Sequence, residues 1–289
     1  MKAAAVLRAA LFAALCLAAS QGRSHDSWLS PSRVDGPNGP LVLELATGSR
    51  YPVQESSQAP ASVAQSGCTD GAARMPLRPH RVHPRWLDLR AGVAEPGAPV
   101  GCWVELAPAD IEIEPARVEV YFAEIKASSA HREAWAAMRA RGMPWRETYR
   151  KFARIELAWA PAAPAARIAA ARRPVGLDLE IVPLGSQPIT VGQPVEFQVI
   201  RAGQPLAGLP VELVSERSAL GIWSSTDAEG KLRHNLPFAG RWLLRGTDLR
   251  LSARHAGTWE SRFVTLAIDA HEAAVPAARI SPASYKLPD

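Results

Sequence analysis

Val195 to Val214 reads VEFQVIRAGQPLAGLPVELV, and this stretch decides the fold. Val195–Ile200 and Val211–Val214 are short runs rich in apolar and β-branched residues. Ala202-Gly203-Gln204-Pro205 between them is a turn signal. The rhythm continues outward, with strands expected at Leu177–Val182, Lys231–Leu236, Arg241–Arg245 and Phe263–Ile268. Val191-Gly192-Gln193-Pro194 and Thr226-Asp227-Ala228-Glu229-Gly230 punctuate them. About 93 residues of this pattern, Leu177 to Asp269, predict an immunoglobulin-like or transthyretin-like β-sandwich. Its bounds are set at 175–270.

Residues 160–174 before it are rich in Ala, Pro and Arg and read as a linker. Residues 271–289 after it, rich in Ala, Pro and Ser, read as a mobile tail. The remaining region, 25–159, reads as a second β-rich domain. Leu41–Leu45, Val100–Leu106 and Arg117–Phe122 alternate as strands, and 46–85 read as one long loop. Ser129 is a candidate cap for a helix from Ala130 to Arg141, with Trp135 and Met138 on one face. Gly142 and Pro144 stop it, and Pro144 opens a second turn carrying Trp145, Tyr149 and Phe152, so the helical segment is placed at 130–152. Ile155, Leu157 and Trp159 then alternate as a strand. The expectation is a mainly β protein of two sandwich-like domains, with a short helical insertion in the first.

The composition agrees. With 289 residues, 47% hydrophobic, 21% charged, 20 Gly and 25 Pro, the chain is neither disordered, collagenous nor a coiled coil. Residues 1–24 have the parts of a secretory signal: Lys2 and Arg8, then an apolar run from Ala9 to Ala19. That run falls short of the roughly 20 apolar residues a spanning helix needs, and no later segment qualifies. Leu15 before Cys16 does not suit a lipobox. Two cuts fit small residues at −3 and −1: one exposes Gln21, the other, which leaves the more conventional c-region, exposes His25. The reading is therefore export to a periplasm, with cleavage before His25.

Losing residues 1–24 removes Lys2, Arg8 and Arg23 and no acid, so a net charge of +5 falls to +2. A nucleic-acid partner needs a clustered basic face, and the arginines are spread along the chain. Cys16 leaves as well. Cys68 and Cys102 remain as an even pair in an oxidising compartment, for which a disulfide is the default.

His25 is the leading candidate for chemistry. As a mature N-terminus it offers an α-amine and an imidazole Nδ1 from one residue, a chelate suited to Cu, Ni or Co. The alternative is a terminal residue with no ligand. His80 and His83 stand three apart in a Pro-flanked segment, where Arg78 and Arg81 disfavour a cation. His131 reads as a helix-start surface residue, and His234 as sharing a face with Leu232 and Leu236. His255, near Trp259 and Glu260, is the natural second ligand if the sandwich meets His25. No HExxH, EF-hand, phosphate loop or GxSxG is present, so no enzyme is argued. The nine Trp read first as core anchors, with a polysaccharide platform as the lesser alternative.

Several stretches together resemble a known family: His-Asp-Ser-Trp-Leu at 25–29 after the signal, Gly142 to Lys151, Gly203 to Gly208, Thr226 to Gly230, Ala239 to Leu244, and Trp259 to Ser261. The set resembles an uncharacterised periplasmic family grouped with the periplasmic components of cobalt/nickel-type transport systems (NikM/NikK-like proteins). The resemblance implies a β-rich periplasmic protein with a C-terminal immunoglobulin-like domain, a role in divalent transition-metal uptake, and the post-signal His25 as ligand. Ser24 stands where the family commonly has Ala. The leading expectation is a non-enzymatic nickel- or cobalt-binding protein, with His25, and secondarily His255 and His83, as ligands, serving an inner-membrane metal importer or another envelope protein. The alternatives are a metal-free cell-envelope interaction module, and a copper His-brace carrier or oxidative enzyme.

Overall fold

The computed structural model describes residues 25–32, 40–92, 98–157 and 163–272. The signal segment, Cys16, Trp159, the start of the Ala/Pro stretch and the tail from residue 273 lie outside the described residues.

The chain opens with β1 (Asp26–Pro31), β2 (Val42–Gly48), β3 (Ser56–Ser57), β4 (Val63–Thr69), β5 (Arg74–Val82), β6 (Trp86–Ala91), β7 (Val100–Leu106) and β8 (Ala109–Ile113). Two helices follow, α1 (Pro115–Glu124) and α2 (Ser129–Ala140), then the long strand β9 (Trp145–Leu157) and helix α3 (Ala165–Ala171). The last part is all strand: β10 (Leu179–Pro183), β11 (Pro194–Arg201), β12 (Gln204–Pro205), β13 (Pro210–Ser215), β14 (Ser218–Ser225), β15 (Lys231–Asn235), β16 (Gly240–Leu251) and β17 (Trp259–Ala270). At 53% strand and 14% helix the protein is mainly β and sandwich-like, as its alternation predicts. No helix among the described residues is long and apolar enough to cross a membrane.

The strands form two sheets. Thirteen lie in one, in the order β1-β2-β6-β5-β4-β7-β9-β17-β16-β13-β14, with β3 on β2 and β8 on β9. The other four form β10-β11-β12, with β15 on β11. The small sheet covers the β13-β16-β17 end of the large one. Leu179, Ile181, Phe197, Val199 and Leu232 meet Val211, Leu213, Leu244, Val264 and Leu266 in that core. A second core, with Trp28, Leu43, Leu45, Leu87 and Leu89, fills the N-terminal end. A third packs α1 and α2 on the large sheet through Tyr121, Phe122, Trp135, Trp145 and Trp259.

The β11–β12 turn behaves as its sequence predicts. Arg201 pairs with Gln204, so only Ala202 and Gly203 form the loop, with φ of 49° and 77°. Left-handed φ at both loop positions is what a tight two-residue hairpin requires.

Five expectations differ from the structure. Residues 117–122 are not a strand but part of α1. Val118, Tyr121 and Phe122 are buried at helical spacing, while Val120, which completes the apparent alternation, is 55% exposed. Pro115 at the first turn supports the helix start. The helical segment placed at 130–152 ends at Ala140, and β9 begins at Trp145. Along β9, Trp145 and Tyr149 face the helices, whereas Phe152 joins the opposite core. Their i, i+4, i+7 spacing therefore mimics a helix in a strand buried on both faces. The cap of α2 is Ser128 rather than Ser129, in a capping box with His131.

Residues 46–85 hold β3, β4 and β5, not one loop. In β5 only Leu77 is buried, so periodicity is nearly silent and backbone pairing carries the strand. Likewise, the stretch read as a linker contains α3, whose Ile168 and Ala171 are buried.

Cys68 and Cys102 stand directly opposite each other in the β4–β7 register, and they form a disulfide with a Cα–Cα distance of 4.0 Å.

Candidate functional site

His25 leads into β1, a strand held on both sides. β1 pairs with β2 from Asp26↔Gly48 to Pro31↔Leu43, and Thr265 Oγ1 of β17 donates to the Ser27 carbonyl at 2.7 Å. Trp28 and Leu29 are fully buried, so the strand cannot slide without exposing them. The position of His25 is consequently fixed by the strand behind it.

The His25 ring is about one-third exposed, and its Nε2 lies 3.2 Å from Glu55 Oε2. The Ser49 hydroxyl donates to the other Glu55 oxygen. Lys151 Nζ donates to the His25 carbonyl at 2.7 Å, and its ammonium lies over the rings of Tyr149 and Phe263, 5.4 and 5.9 Å from their centroids. Burial there pulls the Lys151 pKa down to about 8, against the opposing pull of Asp26. Asp26 is buried, and desolvation raises its pKa although Arg245 Nη1 lies 2.7 Å from Oδ2. Arg245 also reaches Glu212, Nε to Oε2 at 2.6 Å. A cleft of about 270 Å³ opens beside these groups, lined by Asp26, Ser49, Glu124, Lys126, Trp223 and Thr247 among others.

Chemically, this end of the molecule offers an imidazole and a carboxylate side by side with solvent access, on a main chain anchored by an amine. His25 and Glu55 are the residues that could hold a metal. Among the described residues, no group of three or more His, Cys, Asp or Glu is placed to hold one.

The other histidines lie elsewhere. His255 is exposed in the β16–β17 turn, where its backbone N–H donates to Ser252 Oγ at 3.1 Å. It lines a different cleft, with Asp110, Glu112, Arg146 and Thr148. His83 follows β5, with Nε2 2.8 Å from Asp88 Oδ2 and its ring stacked on Trp86 at 4.5 Å. His80 is exposed on β5. His131 serves structure: Nδ1 accepts from the Ser128 backbone N–H at 3.2 Å, and Nε2 lies 2.8 Å from the Leu249 carbonyl of β16. His234 is half-buried on β15 beside Leu232, and desolvation lowers its pKa. The fold thus gathers neither His255 nor His83 with His25.

Glu55 and Lys151 were not legible as partners of His25. They come from the approach to β3 and from β9, as Arg245 and Glu212 beyond Asp26 come from β16 and β13, and no spacing along the chain links them.

Residues 118–247 match the family model described as a domain of unknown function (DUF4198). The match runs from α1 through β9 and α3 into β16. No curated protein matches the chain. Among solved structures, it is similar to a tetra-tandem repeat in the extending region of a large adhesion protein, at 11% identity and a TM-score of 0.21 over 85% of this chain. It spans half of that protein's chain. It is also similar to native alpha-2-macroglobulin from Escherichia coli spanning domains MG0-NIE-MG1, at 12% identity and a TM-score of 0.19, over 84% of this chain and 97% of that one.

Proposed function

We propose that the protein is exported, is cleaved before His25, and binds a divalent transition metal (nickel, cobalt or copper) through its new N-terminus without acting as an enzyme. In this reading it belongs with the NikM/NikK-like periplasmic components and supplies an inner-membrane metal importer. The observation that carries the reading is the 3.2 Å approach of His25 Nε2 to Glu55 Oε2. A metal-binding imidazole typically gives its second ring nitrogen to a carboxylate, which fixes tautomer and orientation. With the Nε2 proton directed at Glu55, Nδ1 keeps the lone pair that would chelate together with the α-amine. Lys151 holds the His25 carbonyl and so limits the motion of that chelate.

N-terminal sequencing of the secreted protein comes first: a mature chain that starts at Gln21 would remove the amine and end the proposal. Calorimetric titration with Ni²⁺, Co²⁺ and Cu²⁺ follows. Tight binding by the wild type should disappear in His25→Ala, and Glu55→Gln should weaken it roughly 10–100-fold. Equal affinity in wild type and His25→Ala overturns the mechanism.

A further inference from the structure

Residues 74–90 contain Arg74, Arg78, Arg81, Arg85 and Arg90 against a single carboxylate, Asp88. In one dimension these arginines look dispersed among prolines. Antiparallel pairing of β5 with β6 folds them onto one hairpin and sets Arg78 directly opposite Arg90 and Arg81 opposite Asp88. A register shift between Pro79 and Arg81 accommodates His80. Leu77, Leu87 and Leu89 point into the core, and Arg78, Arg81, Arg85 and Arg90 are all exposed.

Like charges directly opposite each other on one face of a sheet are destabilising. Among the described residues no carboxylate forms an ion pair with Arg78 or Arg90. Asp88 is already held, with Oδ2 2.8 Å from His83 Nε2 and Oδ1 accepting from Trp86 Nε1 at 3.0 Å. Among the described residues none of these four guanidinium groups forms an ion pair. By contrast Arg150, Arg201, Arg241, Arg245, Arg250 and Arg262 each have a carboxylate partner. The hairpin is therefore a segregated block of open positive charge.

Its turn end carries a second feature. His83 N–H donates to the Trp86 carbonyl at 2.9 Å and closes a tight turn. Val82 at that end is 58% exposed, and Pro84 is exposed beside it. Apolar tip residues flanked by guanidinium groups match the two layers of a lipid surface, acyl boundary and phosphate. A nucleic acid or an acidic glycan would use the charge but has no place for Val82.

We propose that the β5–β6 hairpin docks the protein on an anionic bilayer surface, with Arg78, Arg81, Arg85 and Arg90 pairing lipid phosphates and Val82 and Pro84 entering the interface. Guanidinium groups suit this contact because they donate to phosphate oxygens in a bidentate fork. The inference rests on residues distinct from His25 and stands whether or not a metal binds there.

Flotation of the full exported protein with vesicles tests it. Binding is expected to vesicles of phosphatidylglycerol mixed with phosphatidylcholine, not to phosphatidylcholine alone, and it should weaken with added salt. Arg78→Gln with Arg90→Gln removes two charges and should weaken binding roughly 30-fold. Removing a like-charge pair leaves the melting temperature unchanged or raised, so a folding defect is distinguishable. Val82→Ser should also weaken vesicle binding. The proposal is overturned by no binding to anionic vesicles, by equal binding to neutral ones, or by a double variant that binds like wild type. It is overturned too if Val82→Ser has no effect while a duplex DNA oligonucleotide competes fully, since the hairpin would then be reading polyanion charge alone.

Discussion

Lys151 shows most clearly how one side chain's environment differs from what its neighbours in sequence suggest. Its ammonium is tied to the His25 carbonyl and shielded by Tyr149 and Phe263, and its pKa falls to about 8 from the ordinary 10.5. Between pH 8 and 10 the folded chain therefore holds fewer protons at this site than the unfolded chain. Stability should rise with pH across that window, and the full penalty applies below pH 8. The gain is about 2–3 kcal/mol once solvent screening is allowed for. Tyr51 and Tyr121, whose pKa values burial raises, act in the opposite sense only above pH 10. Urea midpoints measured from pH 7 to 10 should climb for the wild type and stay flat for Lys151→Met; parallel curves would refute the assignment. His25, Cys68 and Cys102 could be singled out from the sequence because each is special by its position relative to the N-terminal apolar run. Lys151 and Glu55 could not, because their roles depend on strands that meet only in three dimensions.

Among the elements, the disulfide-bonded pair β4 and β7 shows what local pattern misses. β7 is buried along its whole length and reads as a strand at once. β4 buries only Gly67 and Cys68, so its place is fixed by the ladder to β7 and by the Cys68–Cys102 bond. Closing a loop with a sequence separation of 34 residues is worth about 3–4 kcal/mol by chain entropy. Reduction, or Cys68→Ser with Cys102→Ser, should lower the melting temperature by that equivalent; an unchanged melt under reductant would contradict it. α1 and β9 misled for complementary reasons. The helix carries a chance alternation whose Val120 faces solvent, and the strand carries aromatics at helical spacing that serve two different cores. Period alone is weak evidence where an element is buried on both faces.

At the scale of the molecule, the decisive contact is the parallel pairing of β17 with β9, from Trp259↔Glu147 to Ala267↔Ile155. It makes one sheet of two regions that the sequence separates by an Ala/Pro-rich stretch. Buried ion pairs reinforce the join. Arg154 of β9 lies 2.9 Å from Glu180 of β10 and donates to the Ala171 and Arg173 carbonyls, both at 3.1 Å. Arg172, after α3, grips Glu156. Arg154→Met would leave Glu180 buried without its cation and should cost about 3–5 kcal/mol. Because the sheet is continuous, tryptophan fluorescence and far-ultraviolet circular dichroism should report one coincident urea transition. Two separated transitions would mean that the halves unfold independently.

The sequence by itself determined the β class, six of the strands of the C-terminal sandwich but not β12 or β14, the tight turn at Ala202-Gly203 and the pairing of Cys68 with Cys102. All of these follow from short-range alternation, from turn chemistry, or from Cys68 and Cys102 being the two cysteines outside the N-terminal apolar run. Only the tertiary structure decided that β9 and β17 fuse the two regions, that Glu55 and Lys151 flank His25, and that the arginines of 78–90 share one hairpin. Those outcomes depend on which strands lie side by side, and strand pairing is selected by complementary burial across distant segments rather than by any local period.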